Sequence, residues 1–322
     1  MSVLGTRVSD ETVRYQLLAH AEWDRDANLR DVLDRKDLLA QPALVASLLA
    51  ERLSSGTPAT APMSCSYPKD DGTYRTTWVL DPFDELRYSL LASAVAPRVN
   101  ATLPNDRIVL STRFIEFGRR VYGAEGWRTA RRRQGSVVTR TGPHPVGGID
   151  VERQYETCPL SGIETALNSC GVDGWLVDET MAMLQELAAW PATAGILVGP
   201  MGSAMFGTLS LLSLDRLLAR LQVLYERWGD DVTASTQNER HFTEIVTAVS
   251  DLLAPAQRLN ASKTWFGETA DHAPSGTEFG KPQEPVSAMR GYTGDPSELS
   301  RRRAPNHPDN IRAGHRPEVP VQ

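Results

Sequence analysis

Apolar residues recur at helical spacing through the first sixty positions, with Val13, Leu17, Leu18 and Trp23 in one run and Val45 through Leu53 in another. These runs predict packing helices and hold no candidate chemistry. Further along, a glycine-supplied reversal at Asp70-Asp71-Gly72 precedes the β-type run Thr76-Thr77-Trp78-Val79-Leu80, which predicts a hairpin. A helix is expected from Phe83 to Val95. Val146-Gly147-Gly148-Ile149-Asp150-Val151 reads as a short apolar strand ending in a carboxylate. Helices are expected over Leu160–Cys170 and Asp178–Trp190, the second opened by Asp178-Glu179, whose charges suit a helix N-terminus. Val223 to Gly229 and Val232 to Ser235 flank Gly229-Asp230-Asp231, which predicts a second hairpin with two carboxylates at its tip.

Leu187 to Leu214 carries no charged residue and is long enough to cross a bilayer. Pro191, Gly195, Gly199, Pro200, Gly202, Ser203 and Gly207 interrupt it, and lipid offers freed backbone groups no partner. A broken, buried element is expected there. From about residue 267 the pattern dissolves into Pro, Gly, Ser, His and mixed charge, the composition of a disordered tail.

The chain has 322 residues, 41% hydrophobic and 23% charged, with a net charge of −6. That composition is expected of a soluble globular protein. Three cysteines, Cys65, Cys158 and Cys170, without Cys-x-x-Cys spacing, argue against a zinc site and for a reducing compartment. With no apolar run at the N-terminus, the cytoplasm is the expected location. Against the overall acidity, residues 98–140 hold ten arginines and only three acids, Asp106, Glu116 and Glu125. Such a segment is either a solvated helix face or a track for a polyanion. Arginine without lysine suits phosphate, whose oxygens its planar fork meets in two places.

Two aspartates at a tight turn and a third at the end of a distant strand form a donor set for two divalent ions. Mg²⁺ takes hard oxygen ligands, and two such ions can clamp the attacking and leaving oxygens of a phosphoryl displacement. Taken alone, Gly-Asp-Asp is also an ordinary surface turn.

Several motifs in order resemble the reverse transcriptases, the RNA-directed DNA polymerases, in their stand-alone bacterial form. Tyr67-Pro68-Lys69-Asp70-Asp71-Gly72-Thr73-Tyr74-Arg75 is similar to the fingers hairpin, which places Lys69 and Arg75 on the incoming triphosphate. Leu80 through Arg113 resembles the template-cradling segment that follows. Ile149-Asp150-Val151 with Tyr155 resembles motif A, in which the Asp150 carboxylate and the Val151 carbonyl would bind metal. Tyr155 would lie beneath the sugar, where its ring rejects a 2′-hydroxyl by bulk; by itself it could equally be a core tyrosine. Gly199-Pro200-Met201-Gly202-Ser203-Ala204, followed by Leu209 to Asp215, is similar to motif B, so Gly199, Pro200 and Ser203 would approach the nucleotide. Tyr225-Glu226-Arg227-Trp228-Gly229-Asp230-Asp231 is similar to the "Y-x-R-Y-x-D-D" of motif C. Trp228 stands for the usual tyrosine, and Gly229 is expected to loosen the turn. Leu259-Asn260-Ala261-Ser262-Lys263-Thr264 resembles motif D, whose lysine can protonate the leaving pyrophosphate.

The resemblance implies an α+β fold of right-hand polymerase fingers and palm, with an antiparallel palm sheet flanked by helices and a thumb absent or vestigial. The expected divisions are an N-terminal helical region over 1–59, a fingers and palm domain over 60–266, and a disordered tail over 267–322. The implied activity is two-metal nucleotidyl transfer from a dNTP to a primer 3′-hydroxyl, in a bacterial retroelement or an antiviral defence system. Asp150, Asp230, Asp231 and Lys263 are the candidate catalytic residues. Arg113, Arg131, Arg132, Arg133, Tyr225 and Trp228 are the candidate nucleic-acid contacts. Implied cofactors are two Mg²⁺ ions, with Mn²⁺ as a substitute. Implied partners are an RNA template or noncoding RNA, a DNA primer, a dNTP and a protein replacing the thumb, with no membrane. The alternative is a catalytically weak or inactive polymerase-like sensor or scaffold that binds nucleic acid.

Overall fold

The computed structural model describes residues 8–26, 35–68, 74–104, 108–109, 144–191 and 193–267. These residues belong to one compact unit. The arginines of the basic segment other than Arg98, the tip of the first hairpin including Lys69, and the segment after Gly267 lie outside them. The expected template track, the tail and the state of the thumb therefore lie outside the described residues.

The described elements, numbered in chain order, begin with three helices, α1 (Asp10–Asp26), α2 (Arg35–Ala40) and α3 (Pro42–Ser54). A hairpin follows, β1 (Met63–Pro68) and β2 (Tyr74–Val79), and then the long α4 (Pro82–Thr102). Strand β3 (Val146–Ile149) leads to α5 (Gln154–Thr157), α6 (Leu160–Ser169) and α7 (Gly174–Ala189). Next come α8 (Ser203–Ser210), α9 (Leu212–Arg220), the hairpin β4 (Tyr225–Trp228) and β5 (Asp231–Ser235), α10 (Glu239–Leu253) and β6 (Trp265–Gly267). The architecture is mixed α+β with antiparallel sheets: β1 and β2 form a separate pair, and the larger sheet runs β4-β5-β3-β6.

Both expected hairpins are present. α4 runs seven residues beyond the expected Val95, through Pro97, because Val95, Ala96 and Val99 are wholly buried and packing overrides the local breaker. Asp81 caps it, accepting from the Phe83 amide at 3.0 Å. α7 starts at Gly174, four residues before the expected Asp178, since Leu176 and Val177 belong to the core. Leu18 is 45% exposed where packing was expected, one step off the buried Val13 and Leu17 face. The charge-free stretch is a loop followed by two short helices, as the interruptions predicted, and among the described residues no helix is long and apolar enough to cross a membrane.

Two cores hold these elements. The first joins α1, α3, α4, α6, α7 and α8, so the N-terminal helices share it with the middle of the chain. Arg52 of α3 secures that junction by reaching Asp81 and Asp84 at the start of α4, both at 3.2 Å. The second core lies between the four-stranded sheet and α9 and α10. Leu212 packs in the first core and Leu211, Leu214 and Leu218 in the second, so the corner between α8 and α9 connects them.

Strand β3 is thin for a reason. A Cβ on Gly147 would fall inside the Phe242 ring from α10, and one on Gly148 would fall on the Trp265 indole. The two glycines thus let an aromatic close over each face of the strand that ends in Asp150. Gly147→Ala should lower stability by about 1–3 kcal/mol through overpacking, measured by urea unfolding. Combining it with Phe242→Leu should give a total loss smaller than the sum of the single losses, because the smaller side chain vacates the contested space.

Candidate active site

Asp150 emerges at the end of β3, whose antiparallel register with β5 pairs Ile149 with Val232. Asp150 and Asp231 are the residues next to that pair on the two strands. β5 is joined to β4 by a tight turn in which Trp228 pairs with Asp231 and Gly229 and Asp230 form the tip. Gly229 adopts φ 60°, a left-handed conformation that suits the twist of a two-residue hairpin. The expectation that Gly229 loosens the turn is corrected by this geometry, because the turn requires the conformation glycine supplies most readily.

The segment after α10 runs along the other side of Asp150. Leu259 bridges to Val151, and the Asn260 amide donates to the Asp150 carbonyl at 2.8 Å. Asn260 also folds the turn that follows. Its carbonyl accepts from the Lys263 and Thr264 amides at 3.0 Å, and its side chain accepts from the Ser262 amide and hydroxyl. The turn places Lys263 Nζ 3.0 Å from Asp150 Oδ2. Asp150 is 6% exposed, whereas the Lys263 side chain is 61% exposed.

Burial, with the charge of Asp150 and then that of Asp231, pushes the Asp230 carboxyl up to about 6, against the pull of a main-chain hydrogen bond and Lys263. All three aspartates therefore act within one field. Tyr155 enters the same field: burial raises its phenol first, the Asp230 charge raises it further, and Arg75 offsets part of the shift. Arg75 lies exposed on β2. The structure thus gathers Asp150, Asp230, Asp231, Lys263, Tyr155 and Arg75 from five separate stretches of chain.

Tyr155 is seated by glycine. A Cβ on Gly207 of α8 would stand 3.0 Å from Tyr155 Cζ, so the small residue sets the depth of the ring. The Tyr155 carbonyl accepts from the Ile196 amide at 2.8 Å, fixing the loop that precedes α8. In that loop Gly199, at φ 122°, lies against the Trp78 backbone of β2, and Trp78 donates to the Val198 carbonyl at 2.7 Å. Glu85 accepts from the Met201 amide at 2.9 Å.

The remaining predicted residues divide. Gly199 is exposed, Trp228 is half-buried, and Pro200 and Val151 are buried. Ser203 is 1% exposed, with its hydroxyl 3.2 Å from that of Tyr88. Tyr225 is 5% exposed and its hydroxyl donates to Asp215 at 2.9 Å, inside the second core. Lys69, Arg113, Arg131, Arg132 and Arg133 lie outside the described residues. Sequence reasoning assigned no role to Asp215, Arg227 or Gly207, although the first two stand in the quoted motifs. The available signal was a pair of opposite charges within each of two mostly apolar runs, Asp215-Arg216 and Glu226-Arg227.

The donor set is hard oxygen, which suits Mg²⁺. Among the described residues no three acid, imidazole or thiolate side chains are drawn close enough to close a metal cage by themselves. An open site that shares its cation with a substrate phosphate fits such donors.

No family model and no curated protein matches the chain. Similar solved structures include apo telomerase from Candida tropicalis truncated from its C-terminal domain, with TM-score 0.47, 10% identity, and coverage of 64% of this chain and 49% of that one. Telomerase from Candida albicans in complex with a TWJ fragment of telomeric RNA gives TM-score 0.45 and 10% identity, covering 71% of this chain and 46% of that one. Apo telomerase from Candida tropicalis, in another structure, gives TM-score 0.46 and 11% identity, covering 71% of this chain and 50% of that one. The chain spans about half the length of these telomerases. A likeness of this size leaves the functional reading to rest on the chain's own residues.

The raised Asp230 carboxyl has a consequence for stability. The folded protein binds that proton more tightly than the unfolded chain, so stability falls as pH rises from the ordinary 3.8 through about 6. Asp230→Asn should therefore stabilise the metal-free protein near neutral pH by on the order of 1–3 kcal/mol. The gain should shrink as the pH falls below about 6, followed by thermal unfolding in chelator across pH.

Proposed function

We propose that this chain is an RNA-directed DNA polymerase that transfers nucleotides from dNTPs to a primer 3′-hydroxyl. The observation that carries this reading is the meeting of Asp150 with the Asp230-Asp231 hairpin tip, beside Lys263, Tyr155 and Arg75. Asp150, Asp230, Asp231 and the Val151 carbonyl would hold two Mg²⁺ ions, with Mn²⁺ as a substitute. Bound there, the ions would lower the pKa of the 3′-hydroxyl and offset charge on the triphosphate.

The chain's own residues then have distinct tasks. Asp150 and Asp230 concentrate negative charge where cations and a polyanionic substrate must meet. Arg75, on the exposed side of β2, offers a fork to the triphosphate. Tyr155, seated on Gly207, fills the space a 2′-hydroxyl would need and so favours deoxynucleotides. Lys263, bound to Asp150 at 3.0 Å on a largely exposed side chain, carries a proton it can deliver to the leaving pyrophosphate. Lys69 would join Arg75, and Arg113 and Arg131 to Arg133 would hold the template backbone. In this reading the β1–β2 hairpin with α4 forms the fingers, the four-stranded sheet with α9 and α10 the palm, and the domain spans 60–266. A protein partner would supply the grip of a thumb. The setting proposed is a bacterial retroelement or antiviral defence system, in the cytoplasm.

A second reading, a polymerase-like sensor that binds nucleic acid without turnover, draws on the Lys263–Asp150 ion pair, which neutralises a candidate metal ligand with a side chain. Primer extension on matched RNA and DNA templates separates the two. The wild type should incorporate dNTPs only with Mg²⁺ or Mn²⁺. Asp230→Asn with Asp231→Asn should remove incorporation while circular dichroism stays that of the wild type; a double variant at full activity would exclude the assignment. Binding of nucleic acid without any incorporation would favour the sensor.

A further inference from the structure

Arg227 of β4 is the largest of the fully buried side chains among the described residues, at 0% exposed. A guanidinium taken this far out of water needs its charge and its donors answered. Asp215 of α9 answers the charge as a fork, with Nε to Oδ1 and Nη2 to Oδ2 both at 2.7 Å. The same carboxylate accepts from the Tyr225 hydroxyl at 2.9 Å. The guanidinium also donates to two main-chain carbonyls: Nη2 to Thr208 at 3.1 Å and Nη1 to Gly229 at 2.9 Å.

Those carbonyls sit on the two pieces of backbone the site depends on. Thr208 follows Gly207, which seats the Tyr155 ring. Gly229 precedes Asp230, so its carbonyl belongs to the peptide plane that aims the Asp230 main chain. For stability alone, an apolar pair of similar volume often serves as well as a buried ion pair. No apolar pair could hold a carbonyl of the turn in one direction.

We infer that Arg227, clamped by Asp215, is a positioning residue for the catalytic turn: it fixes the peptide between Gly229 and Asp230 and ties that turn to the helix seating Tyr155. The spacing between the carboxylate and the sugar-facing ring is thereby held constant. This inference rests on the polymerase reading above. It adds a role for residues that touch neither metal nor substrate.

The test compares wild type, Arg227→Lys, and the neutral double variant Asp215→Asn/Arg227→Gln, which leaves no unpaired buried charge. In primer extension the double variant should lose roughly tenfold to a hundredfold in kcat, the scale on which small misplacements act, with little change in KM for dNTP. Its preference for dNTP over rNTP should relax, because the ring and the turn are no longer tied. Arg227→Lys, which keeps the charge but not the fork, should fall between it and the wild type. Mn²⁺ affinity, read by electron paramagnetic resonance without substrate, should weaken in the same order. A folded double variant with wild-type kcat, sugar preference and Mn²⁺ affinity would overturn the inference and leave the polymerase reading standing. If the wild type incorporates nothing, the polymerase reading fails while Mn²⁺ affinity still reports on the turn. Should neither variant fold, hydrogen exchange of the wild type decides. Amides of Gly229, Asp230 and Asp231 should open only with global unfolding, and exchange at free-loop rates would overturn the tie.

Discussion

The Arg227–Asp215 pair is the interaction around which the site is organised. Burying a guanidinium and a carboxylate costs several kcal/mol per ion before their attraction is counted, and the fold tolerates that cost by answering the charges closely. Asp215 accepts from Arg227 and Tyr225, and Arg227 donates onward to Thr208 and Gly229. Three elements, α8, α9 and the β4–β5 hairpin, are thereby held at one point. The Arg227 backbone adds a fourth attachment, donating from its amide to Ile108 at 2.8 Å. A change in any one of these groups is felt by the rest, because a half-answered buried network is worse than none.

Around this point the protein carries charge at the expense of stability. Asp150, Asp230 and Asp231 are brought together by strand register, and the exposed Lys263 reaches Asp150 from the other side. Burial first, and then that crowding, raises the Asp230 carboxyl. A fold selected for stability alone would disperse these acids; gathering them makes sense for a cation and a phosphate-bearing substrate. Close approach of backbone makes the gathering feasible. Glycines at 147 and 148 let Phe242 and Trp265 pack where a methyl group could not fit, and Gly207 lets the Tyr155 ring pack where a methyl group would crowd it.

Much of this was legible in the linear chain wherever a local rule had a single solution. Gly-Asp-Asp between two apolar runs made a hairpin, and Val146 to Ile149 made a strand ending in Asp150. Proline and glycine broke the charge-free stretch into a loop and short helices, as lipid-free packing requires. Local rules failed where a neighbour distant in sequence decided the outcome. Nothing local in the sequence indicates that the Tyr225 hydroxyl meets Asp215 inside the core, or that the Ser203 hydroxyl meets that of Tyr88 from α4. Gly229 reads as slack, yet the hairpin twist makes its left-handed backbone the required conformation.

By itself, then, the sequence determined which residues could bear chemistry and in what order they come: the three aspartates by strand and turn pattern, and Lys263, Tyr155 and Arg75 by resemblance to motifs in a fixed order. That information is local, written in spacing and turn chemistry. Only the tertiary structure decided which of them share a field and which serve the core. Whether Lys263 meets Asp150, whether the Arg75 charge is felt at Tyr155, and whether Arg227 faces solvent or Asp215 depend on sheet register and on two cores meeting at the corner between α8 and α9. Such contacts join residues more than a hundred positions apart in the case of Asp150 and Lys263. No periodicity encodes them, because burial and electrostatics act through space.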